Sequence, residues 1–408
     1  MTGAVKTAPP GGQAVLFAAP HRAMFLLGGA LMLVGFALWL LEMLARAGWL
    51  PALAWSLPPG WVHALLVLGG VFPMFMFGFL LTAMPRWQGL PDVQRGHWLQ
   101  AWGLLCAGWL LAVPGVFVPL LLYIGLAAVI GGWLALLAVL GRIAFHRHGG
   151  RMHAIPAWLG LLAGWLALCA WALHLLTGEA HWVRVAIQLG VWWFFLPVFF
   201  TVCHRMIPFF SSNVIPDYVP VRPRWALFAM LAASLLHGMG AMLGSTLLWL
   251  VDLPAALLAL WLTLRWRLFA SFRVPLLAML HVGFAWLGVA WLLFAVQGLA
   301  AMQGHHILGL APLHVLAIGY FGSILLGMVS RVTLGHSGRP LHADRLTLML
   351  FGGLQGVLLA RVLADVLPGA LSSGLMVVAA VGWLSVFGLW SIRYLPMYVR
   401  SRVDGKPG

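Results

Sequence analysis

Sixteen histidines stand against only eight acidic residues in this chain. An imidazole suits haem iron, copper and zinc, and a polar side chain held in lipid is costly enough that it usually has work to do. Seven histidines gather toward one end of the long apolar runs: His63, His174, His181, His237, His305, His306 and His314. His63 and His314 each open such a run at similar depth. They form the first candidate pair of axial ligands to a b-type, non-covalently held haem. His237 is the candidate for a second metal site, with His305, His306 and Met302 as candidate copper ligands. Solvation is the alternative for the loop histidines. For His237, His281 and His314 the alternative is a hydrogen bond to a neighbouring helix.

The remaining reactive residues narrow the chemistry. Cys106, Cys169 and Cys203 form neither CxxC nor CxxCH, which excludes a covalently attached c-type haem, a cysteine zinc ribbon and a disulfide scaffold. Arg361 and Asp365, four residues apart, are expected to neutralise one another, as are Glu42 and Arg46. Asp252, just before Leu253 and Pro254, reads as a helix N-cap. So few acidic groups argue against a proton-driven pump.

These residues are positioned by twelve apolar stretches, roughly 24–45, 62–84, 98–113, 116–141, 157–177, 183–203, 225–248, 253–270, 276–297, 309–330, 346–366 and 372–393, each near the ~20 residues that span a bilayer. Hydrophobic residues make up 63% of the chain and charged residues 8%, a balance that excludes a soluble domain. The expected fold is all-α: a polytopic membrane protein of twelve transmembrane helices. Residues 1–20 are expected to be a disordered cytoplasmic N-terminus, 21–400 the membrane domain and 401–408 a cytoplasmic tail. Twenty of the 23 Lys and Arg fall on the side of the N-terminus, leaving Arg46, Arg184 and Arg361 opposite. The positive-inside rule then puts both termini in the cytoplasm. The net charge of +15 therefore signals a lipid bilayer as partner and not nucleic acid. The 23 Trp and 23 Phe are expected chiefly at interfaces and facing lipid.

Three stretches end alike: FGFLLTAMPRWQGLP (77–91), LPVFFTVCHRMIPFF (196–210) and GSILLGMVSRVTLGH (322–336). Each leads from apolar residues to Arg86, Arg205 or Arg331, with four spans between successive arginines. That spacing suggests three sets of four helices, with spans 2, 6 and 10 lining a common interior. The arginines would either bond the last carbonyls of their own helices or hold the carboxylates of a ligand.

The segment HVLAIGYFGSILLGMVSRVTLGHSGRPL (314–341) resembles the NnrS family of bacterial inner-membrane proteins. FGFLLTAMPRWQGLP (77–91), HRMIPFFSSNVIP (204–216), HRAMFLLGGALMLVGFALWL (21–40) and LHVGFAWLGVAWLL (280–293) carry the likeness across nearly the whole chain. The resemblance implies a haem- and copper-associated protein of the response to nitric oxide, alongside denitrification or nitrosative-stress functions. It points to His314, Arg331, Gly335, His336, Gly338 and Arg339, to Arg86 and Trp87, to Arg205 and Pro208, and to His281. Where the family tends to carry a WHxHEM-like start to span 2, this chain reads WVHALL (61–66), with one His and no Glu. Twelve helices in three sets of four also resemble the haem–copper oxidase core subunit, although its paired and triple histidine motifs are absent and oxygen reduction is not expected.

The expected function is thus a haem- and copper-binding inner-membrane protein of nitric oxide response or tolerance, with nitric oxide or a related small ligand and an electron donor or denitrification enzyme as partners. A small-solute or metal transporter is the alternative, and a non-enzymatic sensor or assembly factor a third reading.

Overall fold

A computed structural model describes residues 15–147 and 149–406. The expected disordered N-terminus lies outside the described residues up to position 14, as does His148. Among the described residues there is no strand, and long helices account for most of the chain. They are α1 (Pro20–Arg46), α2 (Pro59–Trp87), α3 (Arg95–Gly115), α4 (Pro119–Ala144), α5 (Arg151–Thr177), α6 (His181–Ser212), α7 (Arg224–Met242), α8 (Trp249–Arg265), α9 (Pro275–Met302), α10 (Ala311–His336), α11 (Arg345–Val366) and α12 (Gly369–Tyr398). Eleven are long and apolar enough to cross a membrane. The other, α8, has 17 residues and occupies the place of the expected eighth span. It ends just before Arg267, whose φ of 62° breaks the helix.

The helix starts follow local chemistry. Proline, which lacks an N–H that would be unsatisfied there anyway, opens α1, α2, α4 and α9. The Asp344 carboxylate accepts from the Thr347 amide at 2.9 Å and caps α11. Asp252 is not the N-cap expected of it. Helix α8 starts further back, with Leu248 at its cap, so Asp252 lies inside the helix and is buried.

Helices α2, α6 and α10 are the interior of the molecule. Their most apolar windows are 78%, 72% and 78% buried, against 28–61% for the other spans. Each contains a π-helical segment: Leu66–Val71, Leu189–Phe195 and Val315–Gly322. Such segments insert extra backbone into a helix and are frequent at functional sites.

Lipid tails supply no hydrophobic drive between helices, so packing rests on close backbone approach and buried hydrogen bonds. A Cβ on Gly125 would lie 2.6 Å from the Gly108 carbonyl oxygen and 2.5 Å from the Ala112 nitrogen, so α3 and α4 meet backbone to backbone. Nine of the 23 tryptophans are buried. Some indole N–H groups tie neighbouring helices together. Trp133 donates to the Leu161 carbonyl at 3.0 Å and Trp158 to the Leu137 carbonyl at 2.8 Å, two reciprocal ties between α4 and α5. A helix carbonyl that already accepts one bond has a second lone pair for this purpose.

Candidate functional site

The first candidate site lies at the N-terminal ends of two interior helices, α2 and α10. His63, in the opening turns of α2, stacks on Trp39 at 4.4 Å and meets Phe36 edge-on at 5.6 Å. His314 sits at the start of α10. Its Nδ1 lies 3.0 Å from an Asp365 carboxylate oxygen and 3.0 Å from the Leu310 carbonyl. The other Asp365 oxygen takes the Arg361 guanidinium at 2.7 Å. The expected Arg361–Asp365 pair is therefore present, with His314 as a third member. An imidazole flanked by two acceptors at Nδ1 carries its proton there, which leaves Nε2 free as a ligand atom. His63 and His314 thus both stand in the opening turns of interior helices, α2 and α10.

His237 has the same kind of support elsewhere. It lies toward the end of α7, and its Nδ1 donates to the buried Asp252 carboxylate at 2.6 Å. Trp192 packs over the ring at 3.8 Å, with Phe294 at 5.1 Å and Trp291 at 5.5 Å. His305 and His306 are exposed in the loop before α10. The Met302 sulfur accepts from the Trp249 indole at 2.8 Å. Among the described residues, no cluster of three or more His, Cys, Asp or Glu side chains is poised to hold a metal ion. His237 is thus not gathered with His305 and His306.

The second candidate site is at the other end of the same helices. From His63 to Arg86 the rise of α2 carries the chain roughly 35 Å, about the thickness of the hydrocarbon core. There, Arg86, Arg205, Arg331 and His336 line one cavity of about 640 Å³, joined by Arg222 and Arg402. The guanidinium of Arg205 lies over the Trp87 ring at 5.0 Å, and that of Arg331 over the Phe210 ring at 4.1 Å. Neither bonds the last carbonyls of its helix, because α6 and α10 run on past these arginines to Ser212 and His336. Arg86 pairs with Asp92 at 3.4 Å, and Arg402 with Asp404 at 2.6 Å. The His336 ring lies 4.3 Å from that of His21. Arg339 is outside the lining, with its buried Nη1 unpartnered.

Between the two sites lies a small cavity of about 50 Å³. Its walls are almost wholly apolar and come chiefly from α2, α6 and α10, including Phe75, Phe199 and Met328. Phe79 lines both this cavity and the arginine chamber and so partitions them.

His281 is buried, with Nε2 3.0 Å from the Ser211 hydroxyl, which itself donates to the Ile207 carbonyl. Sequence reading missed a second buried pair, His153 and His204, whose ring nitrogens are 3.0 Å apart. His204 lies beside Arg205 in the 204–216 motif, but His153 comes from the start of another helix with no local signal. The carboxylates behind His314 and His237 were missed for the same reason: each partner sits on a neighbouring helix.

Compared with known proteins, residues 15–402 match the family model described as NnrS protein. No curated protein matches the chain. Among solved structures, the fold is similar to that of a haem–copper terminal oxidase dimer determined by cryo-EM, with a TM-score of 0.63 and 13% sequence identity, covering 97% of this chain and 86% of the other.

Proposed function

The chain belongs to the NnrS family, and on that footing we propose that it is a haem- and copper-binding protein of the bacterial inner membrane that acts in the response to nitric oxide. The observation that carries this reading is the placement of His63 and His314 in the opening turns of two interior helices, the second backed by Asp365 at 3.0 Å. The donor set fits a haem. Two imidazoles come from two interior helices, and a carboxylate fixes the tautomer of one, the support metal-ligating histidines usually have. His63 and His314 would hold the haem, with Phe36 and Trp39 walling the approach. Haem iron when bound supplies one-electron chemistry and affinity for diatomic gases. Arg361 holds Asp365 in place, and Asp365 in turn orients the His314 ring through Nδ1.

His237 fits copper on the same grounds. Its Nδ1 is committed to Asp252, which leaves Nε2 as the ligand atom. His305 and His306 would complete that site only by movement of their exposed loop. The likeness in fold to a haem–copper terminal oxidase supports the same cofactor class. The central apolar cavity of about 50 Å³ suits a small uncharged ligand such as nitric oxide, since apolar cavities stay dry and admit apolar guests. An electron donor or a denitrification enzyme is the partner this role requires.

Purification in mild detergent from haem- and copper-replete cells tests the proposal. It predicts a Soret band and bound copper. Protein that carries neither would rule it out.

A further inference from the structure

We propose that the arginine chamber at the inner ends of α2, α6 and α10 is a binding site for an anion bearing two or more phosphate groups. This site is separate from the histidine sites and does not depend on their reading.

The cavity lining includes five arginines and no acidic residue. Arg86 and Arg402 are each partly neutralised, by Asp92 and Asp404. Arg205, Arg222 and Arg331 have no carboxylate partner among the described residues. Arg331 is the strongest indication. It is only 6% exposed and lines the cavity, and its guanidinium rests on the Phe210 ring with no carboxylate to balance it. An uncompensated charge so deeply buried is expensive, and a bound anion would compensate it.

Two further features point to phosphate. The Arg205 and Arg331 guanidinium carbons lie over the Trp87 and Phe210 rings at 5.0 and 4.1 Å, and a guanidinium fork can bind an oxyanion bidentately. A cavity of about 640 Å³ falls in the size range of sites for whole organic ligands, so several anionic groups fit. Neutralisation of helix dipoles does not account for the set. That effect fades beyond the last turn, and Arg205 lies nearly two turns before Ser212.

The wall also includes a closing element. Arg402 donates to the His336 carbonyl at 3.3 Å, and the Val403 amide donates to the Ser337 carbonyl at 3.0 Å. The C-terminal tail is thereby pinned beside the chamber.

Such phosphates could be free in the cytoplasm or be the headgroup of an anionic lipid, and two probes separate these sources. Pyrophosphate is titrated calorimetrically into the whole protein in neutral detergent. Diphosphatidylglycerol is titrated and read by native mass spectrometry. Saturable binding of at least one probe is expected, weakened about tenfold by each of R205Q and R331Q and unchanged by R95Q, since Arg95 stacks on Phe17 away from the lining. The probe that binds identifies the source. Failure of both probes to saturate the protein, or undiminished binding by the glutamine variants, overturns the proposal. If R331Q does not fold, R205Q, at a half-buried position, decides alone.

Discussion

Asp365 on α11 accepts the Nδ1 proton of His314 on α10 at 3.0 Å while holding Arg361, one turn back on its own helix, at 2.7 Å. Arg361 and Asp365 have side chains only 15% and 7% exposed. Removing one partner of such a pair leaves a buried charge and costs about 3–5 kcal/mol, whereas replacing both with apolar residues of similar size is far milder. D365L should therefore lower the melting temperature in detergent sharply, and the double variant R361M/D365L should recover most of the loss. Equal destabilisation by both variants would show that the ion pair is not what matters.

The milder D365N keeps the shape of the side chain and removes its charge. Loss of a carboxylate behind a ligating histidine typically weakens metal binding by about 10–100-fold. Haem retained per protein, measured as the pyridine haemochrome after extended dialysis, should fall, with the fold intact by size-exclusion chromatography.

His237 and Asp252 form a separate centre. H237F should abolish copper binding, read by elemental analysis, while leaving the Soret band unchanged. Concerted loss of haem and copper would mean that the two histidine sites are one.

Much of the fold could be read from the residues because it depends on local composition. The apolar runs each report a helix without reference to any neighbour. The three Arg-bearing ends likewise located the interior helices. Pairings across helices were not legible. Asp252 looked like an N-cap because Leu253 and Pro254 follow it. Its real partner, His237, is 15 residues away on α7, and nothing in the local sequence marks it. Buried tryptophans are a related case: the Trp133 indole donates to the Leu161 carbonyl of the neighbouring helix, and the sequence does not reveal that carbonyl.

The contact of α3 with α4 makes a sharp stability prediction. A Cβ on Gly125 would collide with backbone, whereas one on Gly131 in the same helix meets nothing within 4 Å. G125A should destabilise the protein by about 1–3 kcal/mol through overpacking. G131A should be neutral or slightly stabilising through helix propensity. Thermal denaturation of both variants in one detergent checks the contrast.

The central cavity should take up xenon under pressure, as dry apolar cavities do. V202F, placing a ring at a lining position, should eliminate that occupancy in a crystal or cryo-EM map while the helices stay in place.

The central claim is that His63 and His314 together hold a haem, and the electron paramagnetic resonance spectrum of the oxidised protein tests it most directly. A low-spin ferric signal with two imidazole ligands is predicted, converting to high spin or disappearing in both H63A and H314A. A haem signal unchanged in those two variants would contradict the account.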